Sequence, residues 1–121
     1  MDRLQGIEGL HELDLGEVRG KLYKYIKNND KGIYFLSNAD RRILYIGQSM
    51  VLRQRIQAHL TEADYKHNYQ FIQYILVEDD IERDEMERGF IYHIDPIFNE
   101  KGRRGFAKSQ KKFYRRKRER K

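Results

Sequence analysis

The sequence predicts an α/β protein of the α+β type, with a small three-stranded antiparallel sheet flanked by helices. Two short apolar runs, GIYFL (32–36) and ILYIG (43–47), enclose the polar turn SNADRR and predict a β-hairpin. The apolar run FIQYILV (71–77) predicts the third strand. Apolar residues at helical spacing before the hairpin, after it and after the third strand predict the helices.

The first helix is predicted to begin at Asp14, with Glu17 in the position of a capping box. It would end before the polar residues 28–30, and Gly20 would weaken it. Its apolar positions are Leu15, Val18, Leu22, Tyr25 and Ile26.

Two more helices are predicted after the hairpin. Ser49 would cap the first of them, which runs to about Leu60 and is followed by a loop over 61–68. The last helix covers 79–95 and ends before Pro96, the only proline of the chain.

The composition indicates one charged domain. The chain has 121 residues, of which 36% are charged, and no cysteine, which excludes disulfides, thiolate metal ligands and thiol catalysis. We expect an N-terminal helical extension (1–30), a central domain (31–100) and a basic tail (101–121). No segment resembles a signal peptide or a membrane span, so we expect a cytoplasmic protein, with nucleoid association plausible.

The charge is distributed unevenly. Residues 101–121 hold 12 of the 25 lysines and arginines and one acidic residue, although the whole chain carries only +6. Such a block commonly binds polyanions, and the aromatic residues Phe106, Phe113 and Tyr114 suit stacking on unpaired bases. A solubilising tail is the alternative. The cations expected to contact nucleic acid include Arg103, Arg104, Lys111, Lys112, Arg115 and Arg116.

Glu87 is the acidic residue that composition alone does not explain. It falls within the apolar arc of the last helix, which is formed by Met86, Phe90, Ile91 and Ile94. A carboxylate that faces a sheet needs a partner, because burial of an unpaired charge is costly. Either an arginine or a hard divalent cation would serve.

Two pairs of residues could act on a phosphate. Arg55 and His59 lie four apart on one helix face, and the planar guanidinium suits a pair of phosphodiester oxygens. His59 could move a proton or be a partly exposed helix residue. Tyr34 and Tyr45 lie on paired strands, which could present both hydroxyls on one face of the sheet.

The triplets GIY (32–34) and YIG (45–47) resemble the two signature motifs of the GIY-YIG nuclease family. In that family an arginine follows the second tyrosine by ten positions, as Arg55 does here. A metal-binding glutamate is followed by a proline nine positions later and an asparagine twelve positions later. Glu87, Pro96 and Asn99 have this spacing, so the resemblance covers about residues 31–100.

The resemblance implies roles for these residues. Tyr34 would position or deprotonate the attacking water, and Tyr45 would bind the scissile phosphate or assist proton movement. Arg55 would neutralise developing charge, with His59 beside it, and Glu87 would hold a single Mg²⁺ or Mn²⁺.

Four other residues are expected close to the substrate: Gly47, Gln48, Arg53 and Asn99. Gly47 would allow the chain to turn tightly into the next helix, and Asn99 would support the metal glutamate. Many family members have lysine where this chain has Gln48. Arg53, Lys66 and the basic tail are the candidates to replace that charge.

The resemblance implies a stand-alone metal-dependent endonuclease that nicks duplex or branched DNA, in repair, recombination or the processing of mobile-element or phage DNA. A separate protein could supply specificity, and neither a membrane nor a small-molecule cofactor is expected. The alternative is a nucleic-acid-binding module on the same scaffold without the chemistry, which Gln48 favours. RNA-associated structural binding is the third hypothesis and depends on the tail alone.

Overall fold

The computed structural model describes residue 4 and residues 6–99, and for 62–67 it describes the backbone alone. The six tail cations named above and the side chain of Lys66 therefore lie outside the described residues. The elements, in chain order, are β1 (His11–Asp14), α1 (Leu15–Val18), a 3-10 helix (Leu22–Lys24), β2 (Gly32–Ser37), β3 (Ile43–Ser49), α2 (Leu52–His67), β4 (Phe71–Leu76) and α3 (Asp80–Ile94).

The described part of the chain forms a four-stranded sheet in the order β1-β4-β2-β3, with every neighbouring pair antiparallel. The α+β class and the antiparallel sheet are as predicted, but the prediction of three strands is wrong. The additional strand, β1, has the sequence HELD and pairs with β4. With one apolar side chain, β1 has no alternating pattern from which a strand could be predicted. It is a strand because its backbone pairs with β4.

The helix predicted from Asp14 is much shorter than expected. Asp14 caps it as predicted, with its carboxylate accepting the Gly16 N–H at 2.8 Å, but the helix ends at Val18. Gly20 then takes a left-handed φ of 78°, which redirects the chain into the 3-10 helix. The four aliphatic positions of the predicted apolar face are nevertheless buried, because both short helices cover the same sheet face.

Helix α2 is longer than predicted, since it includes residues 61–67 of the segment 61–68 that was expected to be a loop. The Ser49 hydroxyl accepts the Val51 N–H at 2.9 Å in the turn before it. Helix α3 agrees with the prediction: the Asp79 carboxylate caps its start by accepting the Glu82 N–H, and Asp95 ends it in a left-handed conformation.

The sheet separates two apolar cores. Leu52, Ile56 and Leu60 of α2 pack on one face, which we call the α2 face. Ile91 of α3 packs on the other, which we call the α3 face, with Phe90 beside it. Strand β2 lies between β4 and β3 and is buried along its whole length, whereas β3 lies at the edge of the sheet.

After α3 the chain returns to the edge strand β3. The Phe98 N–H donates to the Leu44 carbonyl at 2.9 Å. The Asn99 side chain accepts the Ile46 N–H and donates to the Ile46 carbonyl, both at 2.8 Å. These bonds fix the last described residue beside β3. Among the described residues, no helix combines the length and apolarity that crossing a bilayer requires.

Candidate active site

The two signature triplets meet where Tyr34 of β2 lies opposite Gly47 of β3. The Tyr34 ring lies directly over Gly47, and a Cβ atom at position 47 would come within 2.6 Å of both its Cζ and its hydroxyl oxygen. Glycine is therefore required at this position by the close approach of the phenol. The turn expected at Gly47 is absent, because β3 continues in extended form to Ser49.

Tyr34, Tyr45 and His59 form a cluster of rings on the α2 face. The ring centroids of Tyr45 and His59 are 4.2 Å apart, those of Tyr34 and Tyr45 6.0 Å, and those of Tyr34 and His59 6.2 Å. Tyr69, which follows α2, extends the cluster, with its ring 6.1 Å from that of His59. We call these four residues the aromatic cluster.

Tyr34 is completely buried, and within the described part of the chain its hydroxyl has no hydrogen-bond partner. Burial raises the pKa of Tyr34 well above its usual range, and the nearby Tyr45 adds to the increase. The charge of Arg55 opposes this increase. The pKa of the Arg55 guanidinium is raised in turn, and the largest cause is its charge interaction with Tyr34. Arg55 is itself exposed, so the charge that interacts with the buried phenol is also accessible to solvent.

Burial also raises the pKa of Tyr69 to about 12, with a smaller contribution from Tyr45. At neutral pH both buried tyrosines are therefore neutral phenols.

Glu87 is partly buried and lies near Gln48, whose side chain projects from β3 toward α3. The Gln48 Nε2 atom is 3.3 Å from the Asp84 carboxylate and 3.5 Å from the Glu87 carboxylate, and donates to both. The Gln48 Oε1 atom accepts a hydrogen bond from Arg83 Nε at 2.8 Å. Because a guanidinium can only donate, this bond fixes the amide with its NH₂ group toward the carboxylates.

The expected catalytic residues thus lie in two groups. Tyr34, Tyr45, Arg55 and His59 come together on the α2 face, whereas Glu87 lies with Gln48 on the α3 face. The groups are joined by β3, in which Tyr45 and Gly47 alternate with Ile46 and Gln48. The two groups therefore lie on opposite faces of β3, the edge strand, whose outer side is bonded by Phe98 and Asn99.

Two residues expected near the substrate have other contacts. Arg53 donates to the Asn28 side chain and, at 3.4 Å, to the Ile26 carbonyl, which ties α2 to the loop before β2. Asn99 is buried, and both polar atoms of its amide bond the Ile46 backbone. The structure gives each of them a role in holding the chain around the site.

The carboxylates beside Gln48 fit a hard divalent cation. Oxygen atoms of Asp84 and Glu87 both face the Gln48 amide nitrogen, so the electrostatic potential at this position is negative and attracts positive charge. Oxygen ligands are those that Mg²⁺ prefers, and Mg²⁺ needs only one or two carboxylates when waters and a phosphate complete its shell. Among the described residues there is no group of three or more His, Cys, Asp or Glu residues that could hold a metal ion.

Sequence reasoning missed Arg83 and Tyr69. Arg83 lies one helical turn before Glu87, and this spacing is a signal that the sequence does offer. Most arginines are exposed, however, and Arg83 is only 3% exposed because of its tertiary packing. Tyr69 belongs to no motif, and only the end of α2 brings it to His59.

The comparisons with known proteins agree with the fold. The family model of the UvrC-like GIY-YIG domain matches residues 30–100. Among solved structures, the magnesium-bound GIY-YIG N-terminal endonuclease domain of UvrC from Thermotoga maritima is 20% identical, with a TM-score of 0.54. The match covers 65% of this chain and 93% of that domain. An asparagine-to-alanine point mutant of the same domain, bound to its catalytic divalent cation, is 18% identical, with a TM-score of 0.55 and coverage of 65% and 92%. Comparison with curated proteins gives no match.

Proposed function

Because the chain belongs to the GIY-YIG family, with a domain of the UvrC-like type, we propose that it is a divalent-cation-dependent endonuclease that nicks DNA. The observation that carries this proposal is the packing of Tyr34 against Gly47 beside Tyr45, Arg55 and His59. This arrangement brings two phenols, an imidazole and a guanidinium together on the α2 face of the sheet, beside the edge strand β3, where we expect a phosphate backbone to bind.

Tyr34 and Arg55 act together in this proposal. The raised pKa of Tyr34 makes it a neutral phenol at neutral pH, so it orients the attacking water by hydrogen bonding. If the phenol loses its proton, the positive charge of Arg55 stabilises the anion that forms. Arg55 also stabilises the negative charge that develops on the phosphate, since it is exposed and carries two donor edges.

Tyr45 and His59 would act next to the scissile phosphate. Their rings are in contact, and Tyr45 is only partly buried, so its hydroxyl can bind a phosphate oxygen. The His59 imidazole can accept or donate a proton near neutral pH, which suits a group that passes a proton to or from Tyr45.

Glu87 would hold the cation, a single Mg²⁺ or Mn²⁺, with Asp84 and Gln48 at its side. When bound, the cation acts as a Lewis acid that stabilises charge on the phosphate and the leaving oxygen. The protein's own contribution is to keep the Glu87 carboxylate at the edge of β3, opposite the aromatic cluster.

The basic tail would bring DNA to this edge. Asn99 is fixed to Ile46 of β3, so the chain that carries Arg103, Arg104 and the later cations begins beside the proposed site. Tail cations would bind backbone phosphates of duplex or branched DNA, with a separate protein as a possible source of specificity. A DNA substrate implies an intracellular role, in repair, recombination or the processing of mobile-element or phage DNA.

Plasmid nicking tests the proposal. The wild type should convert supercoiled plasmid to nicked circles with Mg²⁺ or Mn²⁺, and a chelator should stop the reaction. Glu87→Gln and Arg55→Ala should lower the rate by at least about 100-fold. Glu85→Gln is the matched control, because it neutralises an exposed carboxylate on the same helix and should cut as the wild type does.

The second candidate function is a DNA-binding module without catalysis, and the observation that favours it is Gln48 in place of a cation. Equal, faint nicking by the wild type, Glu87→Gln and Arg55→Ala would support it. Deletion of residues 103–121 separates binding from chemistry. The truncated protein should bind DNA more weakly with a shallower salt dependence, since each phosphate contact contributes about −0.9 to the log–log slope.

A further inference from the structure

Arg83 is a buried charge in contact with the proposed cation site. Its side chain is 3% exposed, although arginine is rarely buried. It donates to the Val77 carbonyl at 3.1 Å, the Glu78 carbonyl at 3.3 Å and the Asp80 carboxylate at 2.6 Å. Its Nε atom remains for Gln48. The guanidinium is therefore held from several directions, and its Nε–H has a fixed orientation.

A fixed Arg83 determines the orientation of the Gln48 amide. Nε donates to Gln48 Oε1 at 2.8 Å, which is the shortest hydrogen bond that Gln48 makes among those described. The reversed amide would place its NH₂ group against a donor, so it is excluded electrostatically. The NH₂ group must then face Asp84 and Glu87.

The consequence for Glu87 is positional. The Gln48 NH₂ group bridges carboxylates one turn apart on α3 as a neutral donor, and Arg88 forms an ion pair with the Asp84 carboxylate at 3.3 Å. The charge of Arg83 is directed to Asp80 and the two backbone carbonyls. The contact through which Arg83 can influence Glu87 is therefore the neutral amide of Gln48.

We propose that Arg83 is a positioning residue that acts through Gln48 to hold the Glu87 carboxylate in place for a divalent cation. This inference rests on the proposed function. It adds to that function the way in which a glutamine on β3 supports the cation site. Arg83 itself touches neither cation nor DNA. Its effect reaches Glu87 through the amide of Gln48.

The test is Mn²⁺ affinity, measured on the full chain without DNA from the electron paramagnetic resonance signal of free Mn²⁺. Gln48→Leu and Arg83→Met should each weaken Mn²⁺ binding by about tenfold or more. The double variant should have the same Mn²⁺ affinity as the single variant with the lower affinity, because both changes remove the Arg83–Gln48 hydrogen bond. Arg83→Lys should also weaken binding, since one ammonium cannot reproduce the planar fork.

The matched control is Arg41→Met. Arg41 lies in the turn between β2 and β3, at the opposite end of β3 from Gln48, where it makes a two-point contact with Glu12 at 2.8 and 3.2 Å and stacks over Phe71. This variant should lose stability but keep the Mn²⁺ affinity of the wild type. If Arg83→Met does not fold, Gln48→Leu and Arg83→Lys decide the question.

Affinity within about threefold of wild type in Gln48→Leu, or fully additive losses in the double variant, would overturn the inference. Plasmid nicking by the same preparations separates it from the proposed function. A wild type that binds Mn²⁺ in an Arg83-dependent way but cuts no DNA would refute the nuclease and retain the positioning role. A wild type that binds no Mn²⁺ would refute both.

Discussion

Tyr34 and Gly47 face each other across the β2–β3 pair, and the phenol of Tyr34 fills the space that any side chain at position 47 would need. This contact explains why a tyrosine in the first signature triplet is accompanied by a glycine in the second. The two residues are one packing unit, so a change at either should be felt at the proposed site.

Gly47→Ala should destabilise the protein and reduce nicking. The new Cβ atom would lie 2.6 Å from the Tyr34 ring, which is buried and cannot move away. Overpacking of this kind costs about 1–3 kcal/mol, to be measured by urea unfolding. Gly89→Ala is the matched control, because a Cβ atom there meets nothing within 4 Å and α3 should gain about 0.5–1 kcal/mol. A stability for Gly47→Ala equal to the wild type would contradict the packing described.

Tyr34→Phe should separate stability from activity. The hydroxyl is buried without a hydrogen-bond partner among the described residues, so its removal should leave the free energy of unfolding unchanged or raise it by about 1 kcal/mol. Nicking should fall by at least about 100-fold, because the group that orients the water is lost.

Tyr74→Phe provides the comparison for this experiment. The Tyr74 hydroxyl donates to the Tyr25 carbonyl at 3.4 Å, outside the aromatic cluster. Its loss should cost a few tenths of a kcal/mol, on the order of a weak hydrogen bond, and leave nicking unchanged. If Tyr34→Phe cuts DNA as fast as Tyr74→Phe, the hydroxyl of Tyr34 has no part in the chemistry.

The hairpin and the members of the aromatic cluster on it could be predicted because their signals are local. Apolar runs of strand length define β2 and β3, and the pairing of Tyr34 with Gly47 follows once the two triplets are aligned across a hairpin. The helical spacing of Arg55 and His59 likewise places both on one face. These relationships depend on distances along the chain that are short or regular.

The features that the sequence did not reveal depend on tertiary contacts. β1 is a strand only because β4 is beside it, and the Asp14 helix ends at Val18 because Gly20 turns the chain. Arg83 is buried because Gln48, Asp80 and two carbonyls surround it. A charge pattern cannot distinguish such an arginine from one on the surface, because the contact with Gln48 joins residues 35 apart in the sequence.

Stability should fall steeply in alkali. Burial raises the folded-state pKa of Tyr69 to about 12 from an ordinary value of 10, and that of Tyr34 further. Above pH 10 the unfolded chain loses these protons while the folded chain keeps them, so unfolding becomes more favourable as pH rises. The stabilisation is complete below pH 10 and is lost between pH 10 and the folded-state pKa values.

Urea unfolding at pH 8, 10 and 11.5 measures this effect. Tyr69→Phe and Tyr34→Phe should each flatten the alkaline decline, and the double variant should flatten it most. Tyr23→Phe, at a site that is 59% exposed, removes a phenol without changing a buried group and should retain the wild-type slope. Identical slopes in all of these proteins would show that neither buried phenol is linked to folding.

Asn99→Ala should loosen the edge of the sheet where the two groups of the proposed site meet. It removes two hydrogen bonds of 2.8 Å from the Ile46 N–H and carbonyl, at a buried position. At about 1 kcal/mol for each bond, the loss should be about 2 kcal/mol in urea unfolding, with faster hydrogen exchange of the Ile46 amide. Asn38→Ala is the control, since the Asn38 side chain also bonds two backbone groups, the N–H of Asp40 and of Arg42 at 3.0 Å, but in an exposed turn. Water can replace those bonds, so Asn38→Ala should cost less; an equal cost would mean that burial of the Asn99 amide contributes nothing to holding β3.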